Sequence, residues 1–397
     1  MSAAARGGAR RWLGNLFAIA AGVAAALMLA EFALRALGYL PSALVSDRVV
    51  GVRWRANAQY HWTDEGFSAG RFNATGWRDR DYREAKPPGT TRILFCGDSY
   101  VEALQVPLDS TFHKRLEGAL QLRARPGRRF EVLGMGRAGF GTTDEYLVYH
   151  TWGARYDPDV VAVLFVLNDW PDNWRWPGSE WQRPFFVLAG DSVQLDTSFA
   201  DSPQFRSAAR GRWGVLEQHS SLGNLAVLEY HRLRARYHPD STIIGMDTMS
   251  GWYRSWNFEK SVSPDSVPAM VLTARILARF AREVRGAGRR FVVVLAGSAE
   301  QQAPELLERE ARDPAFDAGK TERWLVAMGQ RDGYDVVSLT PWFRAACAEE
   351  GARPWYVLGN QYGHWNSEGH ALAARALEWY FAARLAGLDS SATRRAP

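Results

Sequence analysis

The sequence is poor in cysteine: Cys96 and Cys347 are the only two in a chain of 397 residues. Two cysteines are too few for a disulfide framework, and the chain lacks the cysteine and histidine spacing of a zinc site. Because Cys96 follows an apolar run, we expect it to be a buried free thiol rather than half of a bridge. No stripe of arginines is present, so nucleic acid is not an expected partner.

A strong excess of charge of one sign is also lacking, since the net charge of +5 is small for this length. The chain has no internal repeat and no low-complexity segment. Apolar residues make up 47% and charged residues 23% of the sequence, which is typical of globular proteins rather than disordered ones. A chain of this length can bury a substantial core, and two domains are possible.

One long apolar run is present near the N-terminus, from Trp12 to Ala30, with Asn15 as its single polar interruption. About 20 apolar residues are needed to span a bilayer. The preceding basic residues predict a cytoplasmic N-terminus and a chain that continues outside the cytoplasm; they are Arg6, Arg10 and Arg11. We therefore expect residues 1–36 to form a cytoplasmic tip and a single-pass anchor in the inner (cytoplasmic) membrane.

A cleavable signal peptide is the main alternative to this anchor. Ala24, Ala25 and Ala26 offer the small residues of a cleavage site. The apolar run continues past them through Leu27 and Met28, and this continuation favours an uncleaved anchor.

Strand and helix patterns alternate over most of the remaining chain. Residues 37–88 are interpreted as a stalk and lead-in, and residues 89–390 as the main domain. Strands are predicted at Arg92–Cys96, Phe130–Leu133, Val160–Leu167, Phe291–Leu295 and Tyr334–Leu339. Helices are predicted at Thr111–Leu122, Thr142–Trp152 (capped by Thr142 or Thr143), Ala269–Val284, Thr321–Gln330 and Ser367–Leu385. This alternation predicts an α/β fold, a three-layer sandwich around a mostly parallel sheet.

An aromatic-rich insertion at about residues 170–264 interrupts the alternation. The chain holds 17 tryptophans, and several lie at the start of this insertion, between Trp170 and Trp176. Long insertions in compact domains are often lids or binding surfaces. The aromatic residues either pack in a core and lid or form a wall for sugar rings or acyl chains.

Three candidate site residues follow predicted strands. Ser99 comes directly after the first strand, Gly139 after the second and Asn168 after the third. Sites in parallel sheets form at the carboxyl ends of the strands. We therefore expect these residues to lie close together.

Ser99 and the distant His364 together suggest nucleophilic acyl chemistry. A serine hydroxyl is a weak nucleophile until an adjacent base takes its proton, and histidine is suited to that role near neutral pH. Asp98 is expected to brace the turn by hydrogen bonds to the backbone. A developing oxyanion needs donors, which the backbone N–H groups of Ser99 and Gly139 and the amide of Asn168 can provide.

A dinucleotide site is the rival interpretation of the glycines. Gly134, Gly136 and Gly139 satisfy the G-x-G-x-x-G pattern after a strand. However, they follow the second strand rather than the first, and Asp169 is about 30 residues further on rather than about 20. This interpretation also leaves Ser99 and His364 unexplained.

Four blocks of the sequence resemble those of the SGNH (GDSL-type) hydrolase superfamily. They are Gly97-Asp98-Ser99, the glycine turn at Gly139, the pair Asn168-Asp169, and His364 near the C-terminus. The segment Asn73-Ala74-Thr75-Gly76-Trp77-Arg78-Asp79 and the N-terminal anchor are similar to those of exported members. The resemblance implies a flavodoxin-like sheet, Ser99 as nucleophile, Gly139 and Asn168 as oxyanion donors, and His364 as base. It also implies ester hydrolysis or acyl transfer without a metal or organic cofactor.

The chain departs from the family pattern immediately before His364. The family usually has an aspartate two or three residues before the histidine, where this chain has Tyr362 and Gln361. Either a main-chain carbonyl or a carboxylate from elsewhere orients His364, or the protein is slow or inactive.

The expected function is that of an extracytoplasmic serine esterase or O-acyltransferase. The expected substrates are acylated small molecules, glycans or lipids of the cell envelope, with the membrane contacted through the N-terminal helix. The competing class is a catalytically inactive relative that binds envelope polysaccharide.

Overall fold

The computed structural model describes residues 3–175, 183–210, 212–237, 253–302, 307–308, 311–350 and 363–388. The described residues of 1–44 and 207–240 form one compact unit, and those of 45–206 and 241–397 form another. The strands are β1 (Leu44–Asp47), β2 (Gly51–Trp54), β3 (Gln59–Trp62), β4 (Ser68–Arg71), β5 (Thr90–Gly97), β6 (Arg129–Gly136), β7 (Val160–Phe165), β8 (Phe185–Ala189), β9 (Ser192–Asp196), β10 (Arg290–Leu295) and β11 (Asp335–Ser338).

The α-helices follow in the same chain order. They are α1 (Ala3–Ala36), α2 (Ser99–Glu102), α3 (Phe112–Leu122), α4 (Thr142–Thr151), α5 (Asp169–Asp172), α6 (Pro203–Arg210), α7 (Arg212–His219), α8 (Ser221–Tyr237), α9 (Pro268–Gly286), α10 (Ala299–Gln302), α11 (Lys320–Asp332), α12 (Thr340–Glu350) and α13 (Ser367–Ala382).

A five-stranded parallel sheet with the order β11-β10-β7-β5-β6 forms the centre of the larger unit. Alternate residues of each strand face opposite sides, so β5 sends Leu94 and Cys96 into one buried cluster and Ile93 and Phe95 into the other. Helices α4 and α9 contribute to the first cluster, and α3 and α13 to the second. The predicted α/β fold with a parallel sheet between helical layers is confirmed.

The predicted strands and helices of this sheet all occur, with ends displaced by a few residues. One prediction is wrong: neither Thr142 nor Thr143 caps α4, because Gly141 is the N-cap residue. The N–H of Gly141 donates to Asp144 Oδ2 at 3.1 Å, and both threonines lie inside the first helical turn. A glycine is an acceptable N-cap when a side chain from the first turn satisfies its N–H.

Residues 37–88, the predicted stalk and lead-in, contain two antiparallel pairs, β1 with β2 and β3 with β4. Residues 45–88 belong to the same compact unit as the sheet. The described part of the 170–264 insertion contains α5, the antiparallel pair β8–β9, and α6 to α8. Trp170 is fully buried in the core, whereas Trp176 lies outside the described residues.

Helix α1 contains an apolar stretch, Trp12–Ala36, that is long enough to cross a membrane. Its mean hydropathy reaches 2.1 over 18 residues, and none of those residues is buried inside the protein. These properties are those of a single-pass anchor or of a signal sequence. Cys96 and Cys347 are both buried, and neither forms a disulfide in the part of the chain that the structure describes.

Candidate active site

Ser99 lies in a tight turn at the carboxyl end of β5, where it begins the short helix α2. Asp98 is the N-cap of that helix, and its Oδ1 accepts the N–H of Tyr100 at 2.9 Å. A Cβ atom on Gly97 would collide with Cγ2 of Val101, so glycine is required for this close approach. The sequence Gly-Asp-Ser therefore builds a compact turn that presents the serine.

The topology brings three candidate residues to one edge of the sheet. The strand order reverses at β5, which has β7 on one side and β6 on the other. Ligands of such sheets bind at the carboxyl ends of the strands, in the crevice where the order reverses. Ser99 follows β5, Asn168 follows β7 and Gly139 follows β6.

The fold places His364 next to Ser99, although the two residues are far apart in the sequence. Its Nε2 lies 2.8 Å from Ser99 Oγ, within hydrogen-bond distance. The next residue, Trp365, is fully buried and stacks on Phe343. Asn366 then caps α13 and accepts two backbone N–H groups at 3.0 Å each. A buried aromatic anchor and a helix cap thus fix the backbone on the C-terminal side of the histidine.

Glu65 supplies the carboxylate that is missing from the sequence before His364. Its Oε2 is hydrogen-bonded to His364 Nδ1. The histidine and glutamate side chains are 31% and 26% exposed, so both are accessible to solvent rather than buried in the core. Sequence reasoning missed Glu65, because it lies in the turn between β3 and β4 and no local pattern distinguishes it. Gln361 and Tyr362, where the family aspartate was sought, lie outside the described residues.

Gln105 connects the turn that carries Glu65 to the segment that carries His364. Its Nε2 donates to the carbonyl of Trp365 at 2.9 Å. Gly66 has a positive φ of 81°, and a Cβ atom there would lie 2.5 Å from the carbonyl oxygen of Gln105. Gln105 is itself buried. Gln105 therefore contacts both segments: its side chain bonds the carbonyl of Trp365, next to His364, and its own carbonyl lies close to Gly66, next to Glu65.

Segment 73–79 holds the chain that follows α2. The buried guanidinium of Arg78 donates to the carbonyls of Glu102 and Ala103 at 2.9 and 2.8 Å. Asp79 accepts the N–H of Gly134 at 2.8 Å. The segment that resembles those of exported family members thus braces both α2 and β6.

Gly139 lies in the loop after β6, with a positive φ of 78°. A Cβ atom there would meet nothing within 4 Å, so the residue faces open space. Within the described chain, its N–H has no hydrogen-bond acceptor, whereas its carbonyl accepts a bond from Arg183. The loop is tied to the nucleophile turn through the N–H of Ala138, which donates to Glu102 Oε2 at 3.0 Å.

Asn168 and Ser99 both contact the carboxylate of Asp98. Asp98 Oδ2 lies 3.4 Å from Ser99 Oγ and 3.4 Å from Asn168 Nδ2. The Asn168 amide also donates to Asp172 Oδ2 at 2.8 Å. The structure therefore brings Ser99, His364 and Asn168 together; the Asn168 amide is held by Asp172 and makes a longer contact with Asp98.

Buried carboxyl groups lie behind this edge of the sheet. Burial raises the pKa of Asp172 to about 6, although Arg183 and Asn168 oppose the shift. Burial also raises the pKa of Asp98, and it raises the pKa of Glu145 and Asp169 well above the ordinary range. Neighbouring acids that repel each other strengthen the effect at Glu145 and Asp169.

The glycines of the rival dinucleotide pattern have packing roles instead. Gly134 and Gly136 lie inside β6 rather than in a loop before a helix. The N–H of Gly134 is used by Asp79, and a Cβ atom there would lie 2.9 Å from His113 Nε2. Among the residues that the structure describes, no group of three or more His, Cys, Asp or Glu is arranged to hold a metal ion.

No known protein family matches the chain by sequence profile, and no curated protein matches its sequence. Among solved structures, it is similar to LAE5, an α/β hydrolase enzyme from the metagenome of Lake Arreo, Spain. The two share 13% identity with a TM-score of 0.38, over 72% of this chain and 93% of that one.

Two acetyl xylan esterases are also similar. For AlAXEase the identity is 11% and the TM-score 0.37, over 74% of this chain and 100% of that one. For Axe2 from Geobacillus stearothermophilus the values are 13% and 0.38, over 72% and 92%. The chemistry assigned below therefore rests on the geometry of the site.

Proposed function

We propose that the protein is a serine esterase or O-acyltransferase that uses Ser99, His364 and Glu65 as a catalytic triad. One observation carries the proposal: both nitrogens of the His364 ring are engaged, Nε2 by Ser99 Oγ at 2.8 Å and Nδ1 by the carboxylate of Glu65. A base next to the hydroxyl, oriented in turn by a third group, is the arrangement that activates a serine. The carboxylate that the family supplies just before the histidine comes here from a different hairpin.

The reaction begins with attack by Ser99 Oγ on the acyl carbonyl carbon. His364 Nε2 takes the hydroxyl proton, and Glu65 stabilises the imidazolium that forms. The proton then passes to the leaving alcohol as the C–O bond breaks and the acyl-enzyme remains. Water or a sugar hydroxyl next attacks the acyl-enzyme and gives its proton to His364, which returns it to Ser99 Oγ.

The oxyanion of each tetrahedral intermediate requires donors that are already in place. We assign this role to the N–H groups of Ser99 and Gly139 and to the amide of Asn168. The free N–H of Gly139 and its open surroundings support the assignment. Asp98 has a supporting role, because it caps α2 and lies beside both Ser99 and Asn168.

We further propose that the protein is a membrane-anchored member of the SGNH (GDSL-type) superfamily, with residues 89–390 as the hydrolase domain. The order of the motif residues and their positions at successive strand ends support this membership. The apolar stretch Trp12–Ala36 and the basic residues before it support a single-pass anchor in the inner membrane with an extracytoplasmic domain. The proposed substrates are acyl esters of cell-envelope glycans or lipids.

Fluorophosphonate labelling of the full-length protein tests this function. The wild type should label rapidly, and Ser99→Ala and His364→Ala should abolish the labelling. Ser192→Ala is a matched control that should label like the wild type, since Ser192 is an exposed serine of the β8–β9 hairpin whose hydroxyl bonds the carbonyl of Ala189. A folded wild type that labels no faster than Ser99→Ala would contradict the proposal and favour a polysaccharide-binding protein.

A further inference from the structure

The smaller compact unit combines the apolar helix α1 with a hairpin of helices, α7 and α8. The two hairpin helices pack closely at Gly223. A Cβ atom added there would lie only 2.7 Å from the carbonyl oxygen of Leu216. The proposed triad includes no residue of this hairpin. The hairpin belongs to the 170–264 insertion, far from the N-terminus in the sequence. Its contacts with α1 therefore require an explanation of their own.

A carboxylate of α1 caps the second hairpin helix. Glu31 accepts the N–H groups of Ser221 and Leu222, at 2.9 and 3.0 Å, and the hydroxyl of Ser220 at 2.8 Å. These bonds satisfy donors that a helix N-terminus otherwise leaves free. Arg35, one turn further along α1, bonds Glu31 at 2.6 Å. Glu31 thus acts as the N-terminal cap of α8 from a different helix.

The connection between the hairpin helices is also tied to the chain that leaves α1. Arg35 donates to the carbonyl of His219 at 3.0 Å, which satisfies the last residue of α7. Beyond α1, the N–H of Ser42 donates to the carbonyl of Glu217 at 2.8 Å, and Asn224 Nδ2 donates to the carbonyl of Leu40 at 3.0 Å.

Glu31 lies where a spanning helix would leave the hydrocarbon. The apolar stretch begins at Trp12, and about 20 residues at roughly 1.5 Å each cross the hydrocarbon core of a bilayer. Counting from Trp12, that length ends at Glu31. A carboxylate at this depth is tolerated when it is paired and fully hydrogen-bonded, as it is here. The hairpin is therefore attached at the level of the interface.

The hairpin leaves large apolar side chains uncovered. The exposed fractions are 63% for Val215, 49% for Leu228 and 54% for Leu233. The adjoining end of α1 is equally bare, since Phe32 is 74% exposed. Single exposed leucines are ordinary, whereas several large exposed apolar side chains on helices attached to the end of a spanning helix mark a site of interaction.

The sequence of α8 becomes basic after its apolar part. Arg232, Arg234 and Arg236 follow one another at alternate positions near its end. Basic residues near a membrane surface are attracted to anionic headgroups.

We infer that α7 and α8 lie in the membrane–water interface on the side where α1 leaves the bilayer, with the lipid bilayer as their partner. Val215, Leu228 and Leu233 enter the acyl-chain boundary, and the basic end of α8 lies at the level of the anionic headgroups. The inference rests on the proposed role of α1 as an uncleaved membrane anchor. It makes the hairpin a second point of membrane attachment, held at a fixed depth by Glu31.

Depth-dependent quenching of a fluorophore on the full-length protein tests this inference. Single cysteines replace Val215, Leu228 or Leu233, and the protein is labelled with an environment-sensitive dye. It is then placed in nanodiscs of phosphatidylcholine and phosphatidylglycerol that carry doxyl-labelled lipid. The native thiols of Cys96 and Cys347 are buried, so wild-type protein measures background labelling.

Two further positions serve as references. Phe32→Cys reports on the anchor, and Leu122→Cys is the matched control, because Leu122 is a 91% exposed leucine in the larger unit. We expect the hairpin positions to be quenched several-fold more than position 122, with blue-shifted emission. Hairpin positions quenched no more than position 122, while position 32 is quenched, would overturn the inference and leave the anchor intact. Loss of quenching at position 32 as well would refute the anchor itself.

Glu31→Gln tests how the hairpin is held. Removing the charge should weaken the bonds to the α8 N-terminus, so quenching at position 228 should fall while quenching at position 32 stays unchanged. Glu229→Gln is the matched control, because among the described residues Glu229 bonds Arg232 of its own helix and no residue of α1. Unchanged quenching in Glu31→Gln would refute the role given to Glu31, and circular dichroism of each variant confirms that it is folded.

Discussion

Glu65 and His364 are 299 residues apart in the chain and hydrogen-bonded in the structure. The Glu65 carboxylate lies against Nδ1 of the ring, and Nε2 of the same ring lies 2.8 Å from Ser99 Oγ. A carboxylate on Nδ1 holds the tautomer in which Nε2 can accept a proton. The acid of the proposed triad therefore precedes the nucleophile in the chain and belongs to a separate hairpin.

Glu65→Gln should lower kcat by roughly 10²–10⁴, because the amide can no longer stabilise the imidazolium. The upper value is that of the equivalent aspartate-to-asparagine change in a serine protease. KM and thermal stability should change little, since the side chain is partly exposed. The measurement is steady-state hydrolysis of an activated acetyl ester, together with the rate of fluorophosphonate labelling.

Glu84→Gln is the matched control for this substitution. Glu84 is an exposed glutamate of the same lead-in region, and its substitution should leave kcat unchanged. Full activity in Glu65→Gln would show that His364 is oriented without the carboxylate and would reduce the triad to a dyad.

Gly66→Ala should displace the turn that carries Glu65. The added Cβ atom would lie 2.5 Å from the carbonyl of Gln105, at a positive φ of 81°. Gly190→Ala separates the two effects, because Gly190 also has a positive φ, of 58°, but no atom within 4 Å of its Cβ position. We expect both variants to lose about 1 kcal/mol from backbone strain, and only Gly66→Ala to lose most of its kcat. Equal kcat in the two variants would refute this role of the turn.

Asn168→Ala should lower kcat by about 10²–10³, the usual effect of removing one oxyanion donor. KM should change little, because the amide would act mainly in the transition state. The readout is the kcat of ester hydrolysis with Ser99→Ala as the baseline. A large change in KM with an unchanged kcat would assign Asn168 to substrate binding and refute its place in the oxyanion hole.

Asp172→Asn should remove a pH dependence of stability. Burial raises the pKa of Asp172 from 3.8 to about 6, so the folded state binds this proton more tightly than the unfolded state. The stabilisation is fully present below the unfolded pKa and is lost as the pH rises through the folded pKa. At 1.36 kcal/mol per pKa unit, the wild type should lose on the order of 3 kcal/mol across this range relative to the variant.

Thermal unfolding of both full-length proteins in detergent, at several pH values, measures this difference. Asp191→Asn is the control, because the side chain of Asp191 is fully exposed, and its difference from the wild type should not vary with pH. If the difference in unfolding free energy between Asp172→Asn and the wild type does not vary with pH, burial does not raise the pKa of this carboxyl group.

Local patterns in the sequence were sufficient for much of the fold. The run that became β7 is apolar throughout, and β5 contains the apolar run Ile93–Cys96, as buried parallel strands require; both strands occur with nearly the predicted bounds. The last helix begins at Ser367, as predicted, with Asn366 as its cap. These features depend on interactions between residues a few positions apart, so they can be predicted from a short stretch of sequence.

Local sequence patterns did not identify the N-cap of α4, because several adjacent residues can serve as a cap. The cap of α4 was expected at Thr142 or Thr143 because hydroxyl side chains usually cap helices. Gly141 takes that position, with its N–H satisfied by Asp144. The choice among adjacent candidates depends on where the preceding loop leaves the chain, which the residue types alone do not determine.

The sequence by itself determined the apolar N-terminal helix, the alternation that builds the sheet, and a serine, a glycine and an asparagine at successive strand ends. Only the tertiary structure decided which carboxylate meets His364 and where the α7–α8 hairpin is attached. Those two contacts join segments 299 and about 190 residues apart. Their formation depends on the packing of whole elements, the Glu65 turn on Gln105 and the hairpin on the end of α1. A periodicity of two or 3.6 residues encodes which face of an element is buried, but it carries no information about which distant surface covers it.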